Sequence, residues 1–174
     1  RRHRMEHAGI VNPELIRLME KLDVVIATQP RMLFEQGDGF YRACGEERIP
    51  WVYPYRSYVE AGLHVAGSSD CPVVSPDPLL GMRDAVLRRT EEGRVLAPAQ
   101  CLTPRQALTM FTQDAAHSLF EEKRLGTLEE GKLADLLVLS GDILSLPPEE
   151  WEARLKVDMT VVGGEIVYRT DQRP

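Results

Sequence analysis

The sequence has little of what marks a disulfide-bonded scaffold or a zinc finger. Its three cysteines, Cys44, Cys71 and Cys101, are an odd number at wide spacings, and no Cys-x-x-Cys pair is present. Disulfide frameworks and structural zinc sites need paired or closely spaced cysteines. The cysteine usage therefore argues against both scaffolds and is typical of a protein of the reducing cytoplasm, where we expect this one to be located.

Long apolar runs and an excess of positive charge are missing as well. No hydrophobic stretch approaches the roughly 18 residues that a membrane-spanning helix needs. The 174 residues carry a formal net charge of −6, whereas a nucleic-acid-binding domain usually presents a basic surface. The sequence thus predicts neither a membrane nor a nucleic acid as partner.

What the sequence does contain is enough apolar material for a core, arranged in alternating strand and helix patterns. The hydrophobic fraction is 43%, which is ordinary for a globular protein. Proline directly after a capping residue begins three helices, at Asn12-Pro13, Asp77-Pro78 and Thr103-Pro104. The predicted helices cover 13–22, 55–61, 78–89 and 104–118, and the predicted strands end at His7, at Thr28-Gln29 and at Ser68-Ser69-Asp70. This alternation predicts parallel strands joined by crossover connections.

The segment 30–54 and the last third of the chain have different patterns. Segment 30–54 mixes glycine, proline, aromatic and charged residues without a clear period, and we expect an irregular connection that forms the wall or lid of a pocket. Further on, a strand is predicted at 135–139. Two more strands are predicted around Gly163-Gly164, because a two-residue glycine loop is a strong hairpin signal. The end of the chain therefore predicts an antiparallel sheet.

A histidine and an aspartate stand at equivalent ends of predicted parallel strands. In parallel α/β sheets and barrels, ligands bind at the carboxyl ends of the strands. An imidazole and a carboxylate can both bind zinc or a similar ion, and the carboxylate can also take a proton from water at the metal. His7 and Asp70 are therefore candidate metal ligands. A structural histidine and a turn-capping aspartate are the alternative interpretation.

The remaining histidines have weaker claims. His3 shares the side of His7 along the strand but lies about 13 Å away from it, too far for one ion. His64 begins a strand and His117 ends a helix, so both are interpreted as structural. Arg56 follows the segment 30–54 and is a candidate contact for a substrate anion, the alternative being a surface helix residue.

Four stretches of the sequence, taken in order, carry a family resemblance. They are RHRMEHA, GLHVAGSSDCPV, LTPRQALTMFTQDAAHSLFEEKRLGTLEEGKLADLLVL and VVGGEIVY. Together they resemble the C-terminal half of the amidohydrolase superfamily, and most closely amidohydrolase family 3, which includes N-substituted formamide deformylase-like enzymes. The specific part is the combination of an R-x-E-H-A strand, an S-D-x-P-V strand end and a G-x-L-x-x-G-K-x-A-D-L-x-V-L tail.

The resemblance implies a fold and a site. The fold is α/β, with the last three βα units of a (β/α)8 TIM-type metallo-hydrolase barrel in residues 1–120 and strands of a small composite β-sandwich in residues 121–174. His7 corresponds to the metal-ligating histidine on the sixth barrel strand. Asp70 corresponds to the eighth-strand aspartate, which binds or abuts the metal and acts as general base. The cofactor implied is a divalent metal, zinc being the expected ion, with one or two ions left open.

The resemblance also implies an activity, and the chain departs from the family in three features of the site. The implied reaction is hydrolysis of an amide-type C–N bond of a small molecule by metal-activated water. The H-x-H pair of the family's first strand is absent, as are its bridging lysine or acid and its fifth-strand histidine. A barrel of this kind needs roughly 250 residues. We therefore expect this chain to be a C-terminal fragment that is inactive, or nearly so, by itself.

Two other interpretations of the sequence stay open. The chain could be a non-catalytic module that keeps the family scaffold and associates with another chain through its open strand edges. For the enzyme and for the module alike, we expect these edges to favour homo-oligomers or association with another chain. It could also belong to a related hydrolase that acts on a C–O or imine-type bond.

Overall fold

The computed structural model describes residues 2–170, which form two three-stranded sheets and the helices around them. The strands are β1 (Arg4–Glu6), β2 (Val25–Thr28), β3 (Val65–Gly67), β4 (Leu136–Leu139), β5 (Val157–Val162) and β6 (Glu165–Arg169). The α-helices are α1 (Pro13–Lys21), α2 (Arg31–Cys44), α3 (Tyr55–Glu60), α4 (Pro78–Leu87), α5 (Pro104–Phe111), α6 (Gln113–Ser118) and α7 (Trp151–Arg154). Single 3₁₀ turns lie at Ile49–Trp51, Pro98–Gln100 and Pro148–Glu150.

The first sheet is parallel, with strand order β1-β2-β3. Glu6 pairs with Ala27, and Ala27 pairs with Ala66, so the carboxyl ends of all three strands lie at one edge. The predicted parallel alternation is confirmed. Closure of these strands into a barrel, and the division of the chain at residue 120, stay predictions, and residues 1 and 171–174 of those portions lie outside the described residues.

The central strand β2 carries the core of the parallel sheet. All four of its residues are buried, as the β-branched run Val24–Ile26 predicts for a strand covered on both faces. Tyr55 and Tyr58 of α3 are fully buried beside it, and Trp151 of α7 joins the same hydrophobic cluster. Each such side chain contributes about 1.5–3 kcal/mol by leaving water, so the segment around α7 is packed into the main core.

The prediction of an irregular connection over 30–54 is wrong, because residues Arg31–Cys44 form the 14-residue helix α2. The sequence does not predict this helix because Gly37 and Gly39 lie within it, and glycine lowers helix propensity. Gly37 is nevertheless required by packing: a Cβ at this position would lie 2.6 Å from Thr90 Cγ2. The glycine that resembles a helix breaker is a point of close approach between α2 and the chain at Thr90.

The predicted single helix over 104–118 is also wrong in one detail, because it is two helices, α5 and α6. The break falls at Thr112, whose φ of −122° and ψ of −82° are not helical. The Thr112 hydroxyl donates to the Leu108 carbonyl at 2.7 Å, a side-chain-to-backbone hydrogen bond of the kind that bends helices. Thr103 and Gln106 form the predicted capping box at the start of α5.

The second sheet is antiparallel, with order β4-β5-β6. Gly163 and Gly164 join β5 to β6 with positive φ angles, so the hairpin prediction is confirmed. Every residue of β6 is exposed. Across residues 2–170, no helix has the length and apolarity to cross a membrane.

Candidate metal site

His7 lies directly after β1, in a turn whose backbone is strained. Its amide donates to Ala27 O at 2.7 Å, which continues the ladder to β2. His7 and Ala8 then take φ angles of 64° and 47°, a left-handed conformation that is unfavourable for residues with a Cβ. The buried Tyr58 hydroxyl donates to Ala8 O at 2.7 Å, so a core side chain helps to hold this turn.

A second buried tyrosine, Tyr53, contacts the same turn at Gly9. The Tyr53 amide donates to Gly9 O at 2.7 Å, and the Tyr53 ring leaves so little space that a Cβ on Gly9 would lie 3.2 Å from it. Burial, and then the negative charge of Asp70, raise the pKa of Tyr53 to about 12. Its phenol therefore stays protonated at neutral pH and donates to Met32 Sδ.

Asp70 lies just beyond β3, three residues after Gly67. Its own φ is 55°, a conformation that aspartate tolerates better than most residues, and its carbonyl accepts from the Val73 amide at 2.8 Å. The side chains of His7 and Asp70 are 51% and 45% exposed, and His7 Nε2 lies 4.0 Å from Asp70 Oδ2. The structure thus brings the two predicted ligands together at the edge where the parallel strands end.

The spacing of these two atoms fits a shared metal ion. Metal bonds to histidine nitrogen and carboxylate oxygen are about 2.0–2.2 Å long, so an ion between the two atoms can contact both. Catalytic zinc sites generally use three protein ligands. Within residues 2–170, no group of three or more histidine, cysteine, aspartate or glutamate side chains is placed to hold a metal. The described residues therefore bring two candidate ligands together and not the three that a catalytic zinc site generally uses.

Two polar contacts, from His7 to Gln29 and from Gln29 to Ser68, connect the ends of all three strands. His7 Nδ1 is 2.9 Å from Gln29 Oε1, and Gln29 Nε2 is 2.9 Å from Ser68 Oγ. Gln29 is only 2% exposed. Gln29 and Ser68 lie at predicted strand ends, but the sequence predicts no role for them because their contacts depend on the register between strands.

A cleft of about 310 Å³ lies beside Asp70. Its walls include Ser68, Phe111 and Arg31, the last of which comes from α2. Arg31 is already paired with Glu35 at 2.8 Å and with the buried Asp84 at 3.0 Å. Its charge is therefore balanced within the protein. The lining also includes Asp70 and Asp77, so the cleft offers carboxylate oxygens beside the candidate ligand Asp70.

The other residues singled out in the sequence lie apart from this cleft. The Arg56 side chain is 42% exposed and pairs with Glu60 at 2.7 Å, one turn along α3; its contact with a substrate stays a prediction. His3 is exposed. His64 and His117 stack with ring centroids 3.6 Å apart, and His64 lies before β3, at the end of the strand opposite to Asp70. Burial, and then His64, lower the pKa of His117.

Comparison with known proteins extends along nearly the whole chain. A model of the amidohydrolase family matches residues 1–168. A putative amidohydrolase of Bacillus subtilis, YtcJ, is 30% identical over 97% of this chain and 32% of its own length. The N-substituted formamide deformylase of Arthrobacter pascens is 33% identical over 95% of this chain and 30% of its own length. The chain thus spans about a third of the length of these curated relatives.

A solved structure shows the same likeness in three dimensions. It is an uncharacterized metal-dependent hydrolase of Pyrococcus horikoshii, which superimposes with a TM-score of 0.73 at 28% identity. The superposition covers 84% of this chain and 30% of the hydrolase. The α/β fold of this chain is therefore shared with part of a solved metal-dependent hydrolase.

Proposed function

The chain belongs to the amidohydrolase family, and we propose that it supplies His7 and Asp70 to a divalent metal site that hydrolyses an amide-type C–N bond of a small molecule. The observation that carries this proposal is the 4.0 Å separation of His7 Nε2 and Asp70 Oδ2. Both side chains come from the carboxyl ends of parallel strands, which is where α/β enzymes carry their active sites.

The roles of the two residues follow from their chemistry. A divalent ion bound there supplies positive charge that polarises a substrate carbonyl and lowers the pKa of a water molecule. His7 would bind the ion through Nε2 and Asp70 through Oδ2. Asp70 also accepts a proton from the attacking water and passes it to the nitrogen of the breaking C–N bond. We propose zinc as the ion, because a nitrogen and oxygen donor set suits it, with one or two ions left open.

The proposal also concerns the rest of the molecule. We interpret β1, β2 and β3 as the last strands of a (β/α)8 barrel within residues 1–120, and β4, β5 and β6 as part of a small sandwich within 121–174. The remaining metal ligands would then come from residues outside 2–170, since the described part of the chain brings only two together. The chain alone should accordingly show little or no turnover.

The activity is tested on the protein expressed from the whole reading frame that carries this chain. We expect hydrolysis of at least one class among N-substituted formamides, other amides, ureas and cyclic amides. Asp70→Asn should lower kcat/KM by about 10²–10⁴, the usual contribution of a general base. His3→Asn is the matched control, because His3 is an exposed histidine of the same strand region. Full activity of Asp70→Asn, or no hydrolysis by the unaltered protein, would contradict the proposal.

A second candidate function is a non-catalytic module that associates through strand edges. The observation that favours it is β6, a strand at the edge of its sheet with every residue exposed, including Ile166, Val167 and Tyr168. Unpaired edges favour association. Sedimentation analysis combined with elemental analysis of the whole-frame protein separates the two candidates. A module predicts a stable complex without bound metal, whereas the enzyme predicts bound metal in any oligomeric state.

A further inference from the structure

We infer that a hydrogen-bond relay from Thr28 through Ser68 and Gln29 fixes neutral His7 in the form that carries its proton on Nδ1. This inference deepens the proposed function and rests on it in one respect: the proton position matters for function only if His7 binds a metal ion. The proton position itself is a property of the described residues and can be measured without any metal.

The relay begins at a group that can only accept hydrogen bonds. Ser68 Oγ lies 3.2 Å from the Thr28 carbonyl oxygen. A carbonyl has no hydrogen to give, so the Ser68 hydroxyl must donate to it. Having used its one hydrogen, Ser68 Oγ offers only lone pairs to its other neighbour.

That neighbour is the Gln29 amide, whose orientation is thereby set. The group 2.9 Å from Ser68 Oγ has to be a donor, which is the Nε2 amine. The same amine lies 3.5 Å from the Ala27 carbonyl oxygen, so a flipped amide would place its own oxygen against two acceptors. Gln29 is 2% exposed, and water therefore has little access to compensate a flip.

The last step transfers this orientation to His7. Because Gln29 Nε2 donates to Ser68 Oγ, the other end of the amide, Oε1, faces His7 Nδ1 at 2.9 Å. An amide oxygen only accepts, so Nδ1 must carry the hydrogen. A neutral imidazole has one N–H group, and the Nε2 lone pair is therefore left free on the side of Asp70, 4.0 Å away.

The consequence is that Gln29 and Ser68 act as positioning residues for His7. A metal-ligating histidine commonly donates its other N–H to an oxygen acceptor, which fixes the ring and raises the basicity of the ligating nitrogen. Here the acceptor is a buried amide rather than a carboxylate, and it is oriented by backbone carbonyls of its own strand. The relay joins the ends of β1, β2 and β3, so the proton position depends on the register of the parallel sheet.

The test is nitrogen NMR of the chain with ¹⁵N-labelled histidine, without metal, at about pH 8, where imidazole is neutral. We expect a pyrrole-type Nδ1 and a pyridine-type Nε2 for His7. Gln29→Met removes the acceptor at similar size and should let the Nε2–H form appear, and Ser68→Ala should do so to a smaller extent. Gln29→Glu keeps an acceptor and should keep the Nδ1–H form.

Two controls accompany this measurement. Ser69→Ala changes the neighbouring serine, whose Oγ contacts the Cys71 amide rather than Gln29, and should leave His7 unaltered. His64, whose Nδ1 faces Asp114, serves as an internal reference and should not change in any variant. A His7 that carries its proton on Nε2, or that is unaffected by Gln29→Met, overturns the relay.

Addition of Zn²⁺ alone then separates this inference from the proposed function. We expect Zn²⁺ to shift His7 Nε2, with about 10–100-fold weaker binding in Gln29→Met than in the unaltered chain. If the Nδ1–H form is observed but Zn²⁺ leaves Nε2 unchanged even in the whole-frame protein, the relay stands and the metal function fails. If Gln29→Met does not fold, Gln29→Glu and Ser68→Ala still decide the proton position.

Discussion

His7 and Ala8 adopt backbone angles that residues with side chains rarely take. Such strain costs about 1–3 kcal/mol for each residue and persists only where the surroundings hold it. Here the surroundings are two buried tyrosines, since Tyr58 donates to Ala8 O and the Tyr53 amide donates to Gly9 O. The turn that follows the candidate ligand is thus held by core residues of the protein.

Tyr58→Phe tests how much the Tyr58 hydroxyl stabilises the turn at His7 and Ala8. The change keeps the ring but leaves Ala8 O without its donor in a buried place, so we expect the free energy of unfolding to fall by about 1–2 kcal/mol in urea denaturation. Tyr41→Phe is the matched control, because the Tyr41 hydroxyl makes an exposed hydrogen bond to Glu46. It should change stability by less than about 0.5 kcal/mol. Equal effects of both changes would contradict this role of Tyr58.

Among the secondary-structure elements, α2 is the longest one that the sequence patterns miss. Two glycines lie within it, and they face different surroundings: a Cβ on Gly37 would meet Thr90 and Leu96, whereas a Cβ on Gly39 would meet nothing within 4 Å. Gly37 therefore serves packing, and Gly39 has no packing requirement. The same residue type in the same helix allows a direct comparison.

Gly37→Ala and Gly39→Ala should have opposite effects on stability. Either change favours the helix by up to about 1 kcal/mol. At Gly37, overpacking against Thr90 costs about 1–3 kcal/mol and prevails, so the free energy of unfolding should fall. At Gly39 it should rise. Chemical denaturation of both variants measures the difference, and a stabilised Gly37→Ala would show that α2 does not pack as described.

The sequence predicts an element well when the residues that determine the element lie within it or next to it in the chain. Helix α1 is predicted within one residue, because the Asn12 side chain caps the Leu15 amide within its own first turn. The β5–β6 hairpin follows equally from Gly163-Gly164. The prediction of α2 fails because its buried Gly37 is explained by packing against Thr90 and Leu96, which are distant in sequence.

Some features of the candidate site are likewise predicted from the sequence and others are not. His7 and Asp70 are found from the sequence because each lies at a strand end, and strand ends meet in parallel sheets. The relay through Gln29 and Ser68 is not found, since it requires the exact register of three strands. The tyrosines at Ala8 and Gly9 escape prediction for a similar reason, because the turn they contact has no sequence signal of its own.

Over the whole molecule, an ion pair ties the start of the described chain to the region after α6. The Arg2 guanidinium contacts Glu122 at 2.8 Å and lies over the Phe120 ring at 4.4 Å. The hydrogen bond from Arg2 lowers the pKa of Glu122 to about 2. The residues just before β1 and the segment after α6 are therefore coupled through a carboxylate that stays ionised in mild acid.

This coupling predicts an acid-dependent stability. A carboxyl group whose pKa is lowered by folding stabilises the folded state above its ordinary pKa of 4.5 and loses that contribution as the pH falls towards 2. Glu122→Gln should therefore be less stable at neutral pH and should show a shallower loss of stability over that range than the unaltered chain. Glu121→Gln, at the neighbouring glutamate that pairs only locally with Arg124, should keep the original slope. Identical slopes for Glu122→Gln and the unaltered chain would contradict the coupling.

The most direct test of the account is the metal content of the protein expressed from the whole reading frame. Elemental analysis after dialysis should find at least one divalent metal ion per polypeptide in the unaltered protein and in the His3→Asn control. His7→Asn and Asp70→Asn should each lose most of it while they keep the thermal unfolding midpoint of the control. Full metal content in both variants would contradict the claim that His7 and Asp70 together form part of the metal site.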